Sequence, residues 1–70
     1  MSKADKMFEE LGYVKDYEDN TYIIFHNFDE EYVKYIRFCK THMDICAKEE
    51  ISMDELKAIN EKVKELGWGD

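Results

Sequence analysis

The chain has 70 residues, 44% of them hydrophobic, with five tyrosines, four phenylalanines, one tryptophan and a formal net charge of −7 from 17 acids and 10 bases. That length supports a single domain over residues 1–70, near the lower limit for one core, and leaves no volume for a roomy buried substrate pocket unless two copies build a cleft between them. The acidic balance excludes the electrostatic footprint of a nucleic-acid or anionic-membrane binder, and no apolar run approaches a membrane span or the core of a signal peptide.

Ser2 to Leu11 reads as a first helix. Ser2 and Asp5 can cap it, and Ala4, Met7, Phe8 and Leu11 form a narrow apolar face. Gly12 stops it, with Tyr13 placed to pack back on Phe8. From Tyr13 to Ala47 the composition turns to Tyr, Ile, Val, Phe and Thr, residues that fit a pleated surface. Tyr13–Tyr17 and Thr21–His26 read as strands joined by the turn Glu18-Asp19-Asn20, where Asn tolerates positive φ. Asn27–Glu30 is a second turn, Glu31–Cys39 a third strand, and Met43–Lys48 a fourth, joined around Lys40-Thr41-His42. Three successive hairpins make an antiparallel meander.

Alternation assigns the faces. In the third strand Ile36 and Phe38 point inward, with Lys34 and Arg37 at or near solvent. One of those two bases breaks strict alternation, so a bulge or an early strand start is expected. In the fourth, Met43, Ile45 and Ala47 share the apolar side. The stretch Ile51–Trp68 then carries the densest helix signals in the chain. Ser52 and Glu55 spell a capping box, Ile51 and Leu56 a hydrophobic staple, and Gly67 followed by Trp68 a left-handed stop. Leu56, Ile59, Val63 and Leu66 draw one apolar stripe, which requires the sheet as its partner. The expected fold is therefore α+β: an N-terminal helix, a four-stranded antiparallel β-meander, and a C-terminal helix packed on the sheet, both helices on one face.

Several constellations invite a chemical reading. His26, Cys39, His42 and Cys46 are soft or borderline metal ligands, and Cys39-x-x-His42 has a zinc-site spacing. His42 and Cys46, however, stand about 13 Å apart along a strand, so no metal is expected, and both cysteines read as small apolar residues, reduced in the cytosol. A Cys–His dyad would need its members to meet across strands, and nothing supplies an oxyanion hole or a Gly-rich loop. No enzyme activity and no cofactor are expected.

Asp16, Glu18, Asp19, Asp29, Glu30 and Glu31 concentrate acid in the two turns at opposite ends of the second strand, where charge keeps turns solvated. Tyr13, Tyr17, Tyr22, Tyr32 and Tyr35 stand without a basic stripe, so they point to packing or a protein interface rather than to base stacking. The candidate partner-binding residues are Tyr17, Tyr22, Tyr35, Asp29, Glu30 and Glu31.

The opening KADKMFEELGY, with its tyrosine-rich continuation, and the ending MDELKAINEKVKELGW resemble small phage and prophage proteins of low-GC Gram-positive bacteria. That resemblance implies a cytoplasmic accessory protein of the host cell and carries over no catalytic residue. The expected function is non-enzymatic protein–protein binding, with a protein partner or a second copy engaged through the tyrosines or a sheet edge. The alternative is an acidic, nucleic-acid-mimicking inhibitor of a host nucleic-acid-binding or defence enzyme. A small thiol- or metal-dependent enzyme is a more distant third.

Overall fold

A computed structural model describes residues 2–28, 34–47 and 50–68. The element order is α1 (Lys3–Glu10), β1 (Tyr13–Glu18), β2 (Tyr22–Asn27), β3 (Lys34–Cys39), β4 (Met43–Cys46) and α2 (Met53–Leu66). The four strands form one antiparallel sheet in the order β1-β2-β3-β4. This is the α+β meander with terminal helices that the sequence implies. The expected extension of the third strand back to Glu31 lies outside the described residues.

Local chemistry explains the boundaries. The Ser2 hydroxyl accepts from the Asp5 N–H at 3.0 Å, and Gly12 takes the positive φ (94°) that turns the chain out of α1. At α2 both arms of the capping box form, with Glu55 N–H donating to Ser52 Oγ at 3.1 Å and Ser52 N–H to Glu55 Oε1 at 3.0 Å. Gly67 ends the helix in the left-handed conformation (φ 64°), its N–H reaching the Val63 carbonyl at 3.1 Å.

Phe8 centres the core. It stacks on Phe25 with ring centroids 4.3 Å apart and meets Phe38 and Tyr13 edge-on at 6.1 and 5.5 Å. Ile23, Ile36, Ala58 and Ile59 close around it, with Met7, Leu11, Met43, Ile51, Leu66 and Trp68 packed at the margin.

Three expectations about faces need correction. Lys34 points into the protein, 6% exposed and on the side of Ile36 and Phe38, because a buried carboxylate awaits it there. The strand that carries it alternates regularly, and the irregularity falls instead in β1, where the register shifts between Lys15 and Tyr17. The third correction is larger. The buried face of α2 is Glu55, Ala58, Ile59 and Lys62, whereas Leu56 and Val63 stand 41% and 47% exposed. Against the expected stripe, the helix is turned by roughly 60° on a wheel of 100° per residue.

Ion pairs explain that rotation. Glu55 meets Lys34, with Nζ 3.0 Å from Oε1, and Lys62 meets Asp5 at 2.9 Å, its ammonium 5.8 Å from the centroid of the Phe25 ring. Asp5 also takes Lys15 at 2.9 Å, and the Glu65 carboxylate accepts the first-turn Ala4 N–H at 2.9 Å. These links draw α1, α2 and β1 together on one side of α2. Ala58, with no exposed surface, lets the helix come close, while the stems of Glu55 and Lys62 cover apolar neighbours.

Candidate functional site

Both helices lie on one face of the sheet, so among the described residues the other face is open. Its side chains include Tyr22, Ile24 and His26 from β2 and Tyr35, Arg37 and Cys39 from β3, all half-buried against one another. The expected tyrosines all reach this face or its rim, yet they do not form one cluster. Tyr17 and Tyr22 stack at 5.0 Å, whereas Tyr35 sits 5.6 Å from His26 in a separate group. The row Ile24–Arg37–Asp44 runs between them. The other expected site residues, Asp29, Glu30 and Glu31, lie outside the described residues.

The acids of the first turn serve the turn itself. Asp19 accepts from the Tyr17 hydroxyl at 2.7 Å, from the Thr21 N–H and hydroxyl at 2.7 Å each, and from the Tyr22 N–H at 2.9 Å. Those bonds hold its carboxyl well below the usual range, and the carboxylate in turn pushes the Tyr17 phenol up to about 12. Asp16 contacts His26 Nδ1 at 3.1 Å.

A second surface follows from the rotation of α2. Ile45 pairs with the fully buried Ile36 and so stands on the helix side of the sheet, yet it is 45% exposed. The helix does not reach over β4. Facing it, α2 presents Leu56 and Val63, with Met53 (69% exposed) at its start. At the C-terminal end of α2 this seam deepens into a depression of about 220 Å³ lined by Phe38, Met43, Val63, Leu66 and Trp68, with Lys40 and His42 among its polar walls. Glu55 lies beside Lys34 at the start of β3, and Trp68 near Met43 at the start of β4. Helix α2 therefore runs antiparallel to β4, and the seam continues from Val63 and Met43 toward Leu56 and Ile45. Sequence reasoning assigned Leu56, Val63 and Ile45 to the core. The signal that could have corrected it was a pair of charged residues, Glu55 and Lys62, one helical face away from the stripe.

The set of metal-type side chains divides. His26 pairs with Tyr35, far along the sheet from Cys39, which sits opposite Tyr22. Cys46 lies beyond Asp44 on β4 and is exposed. Cys39 and His42 do meet across the hairpin, and Asp44 joins them, the three ligand atoms lying within 4.8 Å of one another. Among the described residues no helix is long and apolar enough to cross a membrane. No protein-family model, curated protein or solved structure matches the chain.

Proposed function

We propose that this is a non-enzymatic protein-binding domain, of the phage or prophage accessory kind that its terminal segments resemble, acting inside the host cell. The partner segment it suits is amphipathic, with an apolar stripe for the α2–β4 seam and acidic flanks. The observation that carries this is the exposure of Leu56, Val63 and Ile45 on the helix side of the sheet, where a small domain would ordinarily bury them. Charge supplies the flanks. The chain carries −7 overall, yet Lys40 and His42 line the depression and Lys57 and Lys64 follow Leu56 and Val63 along α2. Such a rim favours an acidic partner over a second copy of this acidic chain. The reading as an acidic inhibitor draws less support, since Asp5, Asp16, Asp19, Asp44 and Glu55 are engaged within the chain.

Trp68, which lines the depression, is the reporter. A helical peptide with leucines at helical spacing and flanking glutamates is expected to shift its fluorescence, and the same peptide with lysine flanks is not. Leu56→Asp combined with Val63→Asp should abolish the response while altering unfolding by less than about 1 kcal/mol, as exposed sites do. Equal response to both peptides, or full binding by the double variant, would overturn the assignment. Affinity capture from host lysate then compares faces. Loss of a captured protein on substituting Tyr17, Tyr22 and Tyr35, but not Leu56 and Val63, would move the interface to the open sheet. A dimer by light scattering at micromolar concentration would indicate a second copy instead.

A further inference from the structure

We propose that Cys39, His42 and Asp44 form a site for one zinc-class divalent ion at the β3–β4 hairpin, a capacity beyond protein binding at the seam, whose depression Cys39 and His42 also line. Their ligand atoms, a thiol sulfur, an imidazole nitrogen and a carboxylate oxygen, all lie within 4.8 Å of one another. Ligands at tetrahedral angles around zinc are spaced by roughly 3.5 Å, so rotation of half-exposed side chains closes the gap without moving the backbone.

That backbone is already clasped. The Cys39 N–H donates to the His42 carbonyl at 2.8 Å, which sets the two residues opposite each other across the Lys40-Thr41 turn. Asp44 stands two residues beyond His42 and so on the same side of the strand. The side chains also have orienting partners, as ligating residues usually do. The Thr41 hydroxyl lies 3.1 Å from His42 Nδ1, which leaves Nε2 as the nitrogen turned toward Asp44, 4.0 Å from Oδ2. Arg37 Nε donates to the same Asp44 oxygen at 2.9 Å and Nη2 donates to it as well, so Arg37 anchors the carboxylate through Oδ2.

The donor set selects the ion. A thiolate disfavours magnesium and calcium, and one sulfur, one nitrogen and one oxygen suit zinc, with cobalt as its spectroscopic stand-in. Three protein ligands leave the fourth position open to water or to a partner's side chain. Because Arg37 holds part of Asp44 and adds positive charge, the expected affinity is micromolar rather than that of a closed four-ligand site.

Cobalt(II) titration of the reduced, chelator-treated full chain tests this. One cobalt per chain is expected, with a near-ultraviolet thiolate charge-transfer band and visible bands of tetrahedral intensity, all reversed by equimolar zinc. Cys39→Ser should remove the charge-transfer band, and His42→Ala and Asp44→Asn should each weaken binding by about tenfold or more. Cys46→Ser should leave the titration unchanged. His42 is 58% exposed, so its variant folds even if Cys39→Ser does not; circular dichroism checks both. Absence of a thiolate band at stoichiometric cobalt would overturn the site. So would a band that survives Cys39→Ser, or one that depends on Cys46 and appears at half an equivalent per chain.

Discussion

Glu55→Ala is expected to unfold most of the protein at 25 °C, read as loss of the cooperative urea transition by circular dichroism. Glu55 is 7% exposed and bonds to four groups of three residues: the Tyr13 hydroxyl, the Lys34 ammonium, and the Ser52 backbone N–H and side chain. Its removal deletes half the capping box and leaves Lys34 buried, with the Glu50 carbonyl at 3.5 Å as its remaining hydrogen-bond partner among the described residues. Breaking a buried pair from one side costs about 3–5 kcal/mol, and a domain of this size has little more than that in total. Glu55→Gln keeps the shape and two of the acceptor roles but still strands the ammonium. Adding Lys34→Met to Glu55→Gln should therefore recover stability relative to Glu55→Gln alone. If the single and double variants are equally unstable, the ion pair is not the source of the loss.

The same network makes stability depend on pH in a defined direction. Burial by itself would raise the Glu55 carboxyl, but the bonds from Tyr13, Ser52 and Lys34 outweigh it and hold the group at about 2, against 4.5 for a free glutamate. The unfolded chain thus takes up a proton that the folded chain refuses. The contribution is complete above about pH 4.5 and is lost as the pH falls toward about 2, on the order of 3 kcal/mol in all. Asp5, also held below its ordinary value, in its case by Lys15 and Lys62 against the opposing effect of burial, adds to the loss in the same direction. Tyr13→Phe removes one donor and should shift the acid unfolding midpoint upward.

These residues also show where sequence reading stops. The caps at Ser2 and Ser52, the stops at Gly12 and Gly67 and the alternating strands depend on neighbours a few positions away, so the elements and their order are legible. The orientation of α2 depends on partners far along the chain. Lys34 lies 21 positions before Glu55, and Asp5 lies 57 before Lys62. Hydrophobicity alone puts Leu56 and Val63 inside; Glu55 and Lys62, which displace them, are visible one helical face away, but their buried partners are distant in sequence. Tyr17, Tyr22 and Tyr35 are legible as outward residues because strand alternation is local. The seam is not, because it is the by-product of that displacement.

Phe8→Ala should cost about 3–5 kcal/mol, the range for deleting a buried ring, and here the loss is expected to spread. Phe8 has no exposed surface and touches the rings of Phe25, Phe38 and Tyr13, so it joins α1 to three strands at once. A helix of eight residues has negligible stability alone in water. Without this anchor α1 separates, and Asp5 leaves both Lys15 and Lys62 while Ala4 leaves Glu65. Amide exchange across α1 should then rise to that of a frayed segment before the sheet unfolds. Phe8→Leu, which keeps most of the volume, should cost about 1–2 kcal/mol and keep α1 docked. The consequence reaches the seam, because the contacts of α1 with Lys62 and Glu65 pull α2 away from β4 and hold Leu56 and Val63 outward. Without α1, only the Glu55 links to Lys34 and Tyr13 still oppose turning the leucine-valine stripe onto the sheet, so any folded fraction of Phe8→Ala should bury more of Leu56 and weaken the Trp68 response to the acidic peptide. A Phe8→Ala protein that keeps both its stability and that response would mean that α1 does not set the orientation of α2.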